Sequence, residues 1–226
     1  PWGDTRPDYR RPEVRQFITD NAVYWITEFH LDGLRWDATL YIRQKDGQDL
    51  MDGWNMLRSI NDHIDAHYPD AFMIAEDMQS YDQVTAATAS SPWAMGFDSQ
   101  WHAWFMHDMR NTLTAADDSA RNMTTVRNAI QVVNQNDATH LVIYTDSHDE
   151  DGHLNGNKRL CSEIDPTSGV SYKARQRATL GAGVVFPAPG VPRLFMGQAK
   201  RLGPLLGRRH QMLKVISGSV PTLIIV

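Results

Sequence analysis

The stretch that decides the fold is Ala71-Phe72-Met73-Ile74-Ala75-Glu76-Asp77. A short apolar run that ends in acids marks a strand buried on both faces, as in a parallel sheet. Before it, Asp52 to Tyr68 reads as a helix, with Trp54, Leu57, Ile60, Ile64 and Tyr68 on one face and Pro69 as its stop. Further upstream, Arg11 to His30 reads as another helix. Val14, Phe17, Ile18, Ala22, Trp25, Ile26 and Phe29 follow the i, i+3, i+4 spacing, and Pro12 suits a first turn. Asp32-Gly33 turns the chain into a short extended segment, Leu34 to Ala38. Downstream, Gly96 to Trp101 is a weaker strand signal, and Met123, Val126, Ile130 and Val133 mark a helix. Leu141 to Tyr144 is an apolar strand, Ser171 to Gly183 a helix, and Arg193 to Met196 a last short strand. Strands alternating with helices predict an α/β fold with a parallel sheet and crossover helices. The loops after the strands are long and polar, which suits a barrel with its chemistry at the C-terminal strand ends. About five strands are legible where a closed barrel has eight. The chain is therefore either a smaller open sheet or a barrel without its front.

The composition agrees with one globular domain. The chain has 226 residues, 42% hydrophobic, 22% charged and 9% aromatic, which excludes a disordered or low-complexity segment. No run of about 18 apolar residues predicts a membrane span. Pro1 to Arg15 holds no apolar signal core. Cys161 is the only cysteine, so an internal disulfide and a multi-thiolate zinc site are excluded, and a reducing compartment is permitted. The net charge of −5 is unevenly spread. Residues 1–165 hold all 27 acids and 13 Lys/Arg, a balance of −14, whereas residues 166–226 hold nine Lys/Arg and no acid, +9. The first part repels nucleic acid. The basic end has little aromatic interleaving, so no nucleic-acid partner is expected.

Three strand ends present acids. In Asp32-Gly33-Leu34-Arg35-Trp36-Asp37-Ala38, Arg35 and Asp37 point to the same side of a strand. A guanidinium beside a carboxylate holds it in place and ionised, as a nucleophile needs; a surface ion pair is the plain alternative. In Met73-Ile74-Ala75-Glu76-Asp77, an acid at the edge of an apolar wall suits a general acid, against a solvated strand end. Tyr144-Thr145-Asp146-Ser147-His148-Asp149-Glu150-Asp151-Gly152-His153 packs two histidines and four acids into eight positions. It reads as a metal site, as a substrate clamp in which His148 and Asp149 bind hydroxyls, or as a polar loop. In a parallel barrel these ends converge on one pocket, and two facing carboxylates about 5–5.5 Å apart suit retaining glycoside chemistry. Trp36, Trp93, Trp101, Trp104 and Tyr144 lie near these loops, and rings of this kind stack on sugar faces or simply pack.

Asp32 to Ala38, Ile74 to Asp77 and Ser147 to Glu150 resemble three characteristic segments of the alpha-amylase superfamily, glycoside hydrolase family thirteen, in order and spacing. Pro1-Trp2-Gly3-Asp4 with the Arg11 helix resembles the approach to the first of them. Gly96 to Trp101 with Phe105-Met106-His107-Asp108 resembles the sixth-strand segment of 1,4-alpha-glucan branching enzymes. Ser147 to Glu150 with Asn155-Gly156 resembles the same group. Pro189-Gly190-Val191-Pro192 and Leu194 to Gln198 resemble its eighth-strand segment. The resemblance implies a partial (β/α)8 TIM barrel, roughly strands 4–8, over residues 1–198. It implies Asp37 as nucleophile, Glu76 as general acid and base, and Asp149 as the carboxylate that holds sugar hydroxyls. Arg35 would orient Asp37, and His148 and Trp101 would contact the bound glucan. An alpha-1,4-glucan is the implied substrate, with no cofactor or catalytic metal, and the setting is cytoplasmic.

The sequence also departs from the pattern. The segment at the end of the third strand, with strands one to three, would lie before Pro1. Arg193 stands where a buried apolar residue is usual, and a buried unpaired arginine is costly. Ala199 stands where an acid is common. Residues 199–226 hold five Lys/Arg, no acid and an apolar end, Leu223-Ile224-Ile225-Val226, and are expected to be a divergent, frame-shifted or truncated tail. Rival readings are a maltooligosyltrehalose trehalohydrolase or another amylase-type hydrolase, a non-catalytic fragment, and a metal-dependent hydrolase using His148, Asp149, Asp151 and His153. The Glu150 that follows His148-Asp149 favours branching.

Overall fold

Pro12 opens the first helix because a proline at the first helical position loses no hydrogen bond, and α1 runs over Pro12–Glu28. The chain is described here by a computed structural model, which covers residues 6–152, 158–169, 171–195, 198 and 224–225. It divides into two compact units, Pro1–Trp101 with Ile216–Val226, and His102–Val215. Each is taken by itself.

In the first unit, α1 leads into β1 (Gly33–Trp36), α2 (Thr39–Arg43) and a two-stranded hairpin, β2 (Gln44–Lys45) and β3 (Gln48–Asp49). The hairpin turns on Asp46-Gly47, both with positive φ, which is the sequence signal of such turns. Then follow α3 (Met51–His67), β4 (Phe72–Ala75) and β5 (Ser99–Trp101). β1 and β4 pair in parallel, Leu34 against Met73 and Arg35 against Ile74, and β4 pairs in parallel with β5. The short β8 (Ile224–Ile225) pairs in parallel on the other side of β1. The predicted helix over 52–68 is α3, and its Trp54, Leu57, Ile60 and Ile64 form the core with Leu34, Met73, Ala75 and Phe97. α1 is less well buried: Ala22 is buried on the core side, while Phe17 is 73% exposed.

The second unit holds α4 (Ala103–Thr114), α5 (Met123–Gln131), β6 (Leu141–Ile143), α6 (His148–Gly152), α7 (Leu160–Ile164), α8 (Tyr172–Val185) and β7 (Val191–Pro192). β6 and β7 pair in parallel, Val142 against Val191. Phe105, Met109, Leu113, Ala129, Ile143, Leu160 and Val185 form its core. Asn122 caps α5 and Ser171 caps α8, each side chain accepting backbone N–H bonds that the first helical turn leaves open. The last strand starts two residues before its predicted position and ends at Pro192, although the Arg193 N–H still donates to the Ile143 carbonyl of β6 at 3.0 Å. Arg193 is half-buried rather than buried and unpaired. Its guanidinium donates to the Asp146 carbonyl at 2.9 Å and lies over the Tyr144 and Phe195 rings, 5.4 and 5.8 Å from their centroids. That answers the expected cost of an arginine at this position. Met196, Gly197, Ala199 and the basic end up to Leu223 lie outside the described residues. Among the described residues, no helix is long and apolar enough to cross a membrane.

Two glycines test this packing in opposite directions. A Cβ on Gly53 would sit 2.0 Å from the Ile42 carbonyl oxygen, so α3 approaches α2 through a glycine. A Cβ on Gly183, exposed on α8, would meet nothing within 4 Å. Gly53→Ala is expected to lower stability by about 1–3 kcal/mol through overpacking. Gly183→Ala is expected to raise it by up to about 1 kcal/mol through helix propensity. Thermal or urea unfolding of the two variants checks both signs.

Candidate active site

Arg35 lies in β1, paired beside Ile74, and its side chain is fully buried. An arginine there needs carboxylate partners, and the two parallel strand ends supply them. Its Nη1 binds Asp37, and its Nη2 lies 2.9 Å from Glu76 Oε2. Beyond the strand the chain turns sharply at Ala38, in the left-handed region at φ 50°, and α2 begins. That turn aims the Ala38 N–H at Glu76 Oε2, 2.7 Å away. The backbone continues the link: Glu76 N donates to the Trp36 carbonyl at 2.9 Å, and Thr39 N donates to the Glu76 carbonyl at 3.0 Å. Both carboxylates are thereby gathered on the terminal nitrogens of one guanidinium. Asp37 is 61% exposed and Glu76 13%, so the first carboxylate is open to solvent while the second is sheltered.

The expectation for Glu76 was the edge of an apolar wall; the structure adds a guanidinium and a backbone N–H to its carboxylate. Trp101 also differs from its expected role. It is buried, and its ring lies under the Arg35 guanidinium at 4.2 Å, a cation–π contact, so its face supports Arg35 instead of offering a sugar-stacking surface. Trp93 and Trp104 are the exposed tryptophans of the group, at 42% and 61%.

In the second unit, the predicted clamp sits on α6. His148 Nε2 lies 3.4 Å from Asp149 Oδ1, and both are partly exposed. The Ser147 hydroxyl accepts the Asp149 N–H at 3.1 Å and binds the buried Glu150. This short cap fixes the start of α6 and with it the direction of both predicted residues. Asp146 is turned inward. Buried Arg110 of α4 binds it, and also donates to the Thr145 carbonyl at 2.9 Å and the Lys158 carbonyl at 3.0 Å and pairs with Glu163. Burial pushes the Asp146 carboxyl upward, and Arg110 opposes that shift. Asp151 is pushed up to about 7, first by burial and then by the neighbouring Asp146 charge, against the pull of Arg159 at 2.7 Å. His102, just after Trp101, is held down to about 4 by burial and stays neutral. Among the described residues, no three His, Cys, Asp or Glu side chains are grouped to hold a metal ion. His153, from the predicted metal set, lies outside those residues, as do Pro1 to Asp4 and Asn155-Gly156.

The first unit thus brings Arg35, Asp37, Glu76 and Trp101 together, and the second brings His148 and Asp149 together. Arg43, Asp77, Arg110, Asp146 and Arg159 were not singled out for a positioning role. Charged residues inside or beside apolar runs were the available signal for them.

The comparison that decides the family is a match of residues 5–202 to the catalytic domain of alpha amylase. The chain belongs to the alpha-amylase catalytic-domain family. It is similar to the 1,4-alpha-glucan branching enzyme GlgB of Kitasatospora aureofaciens, 31% identical over 219 residues, covering 87% of this chain and 26% of that protein. It is 33% identical over 213 residues to the GlgB 2 branching enzyme of Streptomyces avermitilis, covering 87% of this chain and 34% of that protein. The chain spans about a quarter to a third of the length of these relatives. Among solved structures it resembles an Anoxybacillus alpha-amylase, with a TM-score of 0.61 and 18% identity over 86% of this chain and 37% of that one. It also resembles the Geobacillus thermoleovorans alpha-amylase, with a TM-score of 0.60 and 18% identity over 86% and 38%. Of the two fold readings, the partial barrel of this amylase family stands: an α/β chain whose parallel strands belong to a TIM barrel.

The shifted Asp151 carboxyl gives this family member a pH signature. Its folded value lies above the ordinary carboxylate value, so the folded state holds a proton that the unfolded chain has lost. Stability from this group is therefore full at acid pH and falls as pH rises toward about 7. Asp151→Asn is expected to flatten this slope between about pH 4 and 7 and to raise the melting temperature at pH 8. Melting curves across that range check it.

Proposed function

We propose that this chain supplies the catalytic carboxylates of a retaining alpha-1,4-glucan enzyme of the branching type. The observation that carries the proposal is the single buried guanidinium of Arg35 between Asp37 and Glu76. It gathers an exposed and a sheltered carboxylate on one cation, and a nucleophile with an acid close by is what a covalent intermediate needs. In this reading, Asp37 attacks the anomeric carbon of a donor glucan while Glu76 gives its proton to the departing glycosidic oxygen. The donor bond breaks, and a glucosyl ester forms on Asp37. Glu76, now ionised, takes the proton of the acceptor hydroxyl, whose oxygen displaces Asp37. The proton returns to Glu76 and both carboxyls regain their starting states.

Transfer to the 6-hydroxyl of a second glucan chain is favoured over transfer to water on two grounds. The Ser147-His148-Asp149-Glu150 segment resembles that of branching enzymes, and the relatives cited above are branching enzymes. The intact protein is expected to convert linear amylose into a product with new 1,6 links, read by the anomeric NMR signals. Asp37→Asn is expected to lower this activity about a thousandfold or more. Reducing sugar released without 1,6 links would replace branching by hydrolysis. Full activity in Asp37→Asn would remove the nucleophile assignment.

A further inference from the structure

A second buried arginine of the first unit also grips a carboxylate. Arg43, at the end of α2, and Asp77, just after Glu76, form a two-pronged ion pair, with Arg43 Nε to Asp77 Oδ2 at 2.7 Å and Nη2 to Oδ1 at 2.6 Å. Their side chains are 2% and 0% exposed. The pair has further partners, among them the exposed Asp49 carboxylate 4.0 Å from Arg43 Nη1. Arg43 Nη2 also donates to Gln79 Oε1 at 2.9 Å, and the Thr39 hydroxyl donates to Asp77 at 3.3 Å. The guanidinium lies over the Trp54 and Tyr81 rings, 5.2 and 5.3 Å from their centroids. The Leu50 N–H binds the Arg43 carbonyl at 2.7 Å, which ties α2 to the start of α3.

The place of this pair in the chain gives it meaning. α2 starts two residues after Asp37, and Asp77 is covalently next to Glu76. The pair therefore joins the two segments that carry the carboxylates a second time, independently of Arg35. Arg35 grips the carboxylates themselves; Arg43 and Asp77 hold the backbones from which they project. A buried ion pair is poor value as stabilisation, because apolar groups of like volume serve as well or better. What a planar fork adds is direction, since two parallel hydrogen bonds fix angle and register at once.

From this geometry we infer that Arg43 and Asp77 are positioning residues that set the spacing of Asp37 and Glu76. This rests on the assignment of those two as nucleophile and acid. The test is made in the intact protein with amylose, well below the melting temperature, on the double variant Arg43→Met/Asp77→Leu and the single variants Arg43→Lys and Asp77→Asn. The double variant is expected to melt near the wild type, with kcat about ten- to a hundredfold lower and KM within about twofold. Arg43→Lys keeps the charge and loses the fork, and it is expected to show the same split. Where the double variant does not fold, Arg43→Lys decides. A decisive variant with kcat within about twofold of wild type overturns the inference, as does a loss confined to KM or to melting temperature. Asp37→Asn in the same series separates the two claims. If Asp37→Asn is inactive and Arg43→Lys fully active, only the positioning claim fails; if Asp37→Asn is active, the carboxylate assignment fails and this claim with it.

Discussion

A guanidinium with no exposed surface, in the middle of a parallel strand, is the constraint on which the first unit depends. Arg35 cannot be solvated there, and leaving such a charge unpaired would cost about 3–5 kcal/mol. Asp37, Glu76 and the Trp101 ring together answer that cost. The same answer fixes geometry. The carboxylates meet at one cation only if β1 and β4 lie in their observed register and the chain turns at Ala38 where it does. Fold and site are thus coupled through one side chain, and the strained turn at Ala38 is held because Glu76 accepts its N–H.

The second unit uses the same device at another strand end. Arg110, buried in α4, takes Asp146 and two backbone carbonyls from segments far apart in sequence. Asp146 in turn accepts the Leu160 N–H at 3.2 Å, at the start of α7. The loop that carries Ser147 to Asp151 is therefore anchored from below, and His148 and Asp149 remain at the surface. The inward-facing acids Asp146 and Glu150 thus serve structure, while Asp149 faces outward. Burial and the neighbouring Asp146 charge are also why the Asp151 carboxyl responds near neutral pH.

Much of this was legible in the sequence because it is local. The apolar face of α3 and the run of β4 follow from periodicity, and Arg35 beside Asp37 follows from alternation along a strand. What was not legible is long-range. Glu76 meets Ala38 across 38 positions, and Arg110 meets Asp146 across 36, so no window of sequence holds both partners. Trp101 was read by residue type, and the ring turned out to be covered by an arginine from another strand. Other misses had signals. α4 carries Phe105, Met109 and Leu113 at fourfold spacing, and Asp46-Gly47 announces a hairpin. At the last strand, the Arg193 N–H keeps a bond to β6 while its guanidinium finds the Asp146 carbonyl and two rings, partners that no local pattern announces.

The central claim is that the guanidinium of Arg35 presents Asp37 as a nucleophile with Glu76 as its acid partner. Trapping the covalent intermediate tests it most directly. The intact protein is incubated with a fluorinated alpha-glucosyl fluoride, in which the ring fluorine slows breakdown of the ester. The protein is then digested, and the labelled peptide is sequenced by mass spectrometry. The account predicts one glycosyl group on Asp37, lost in Asp37→Asn and formed far more slowly in Arg35→Lys. A label on Glu76 or Asp149, or turnover with inversion at the anomeric carbon and no label on any carboxylate, would contradict it.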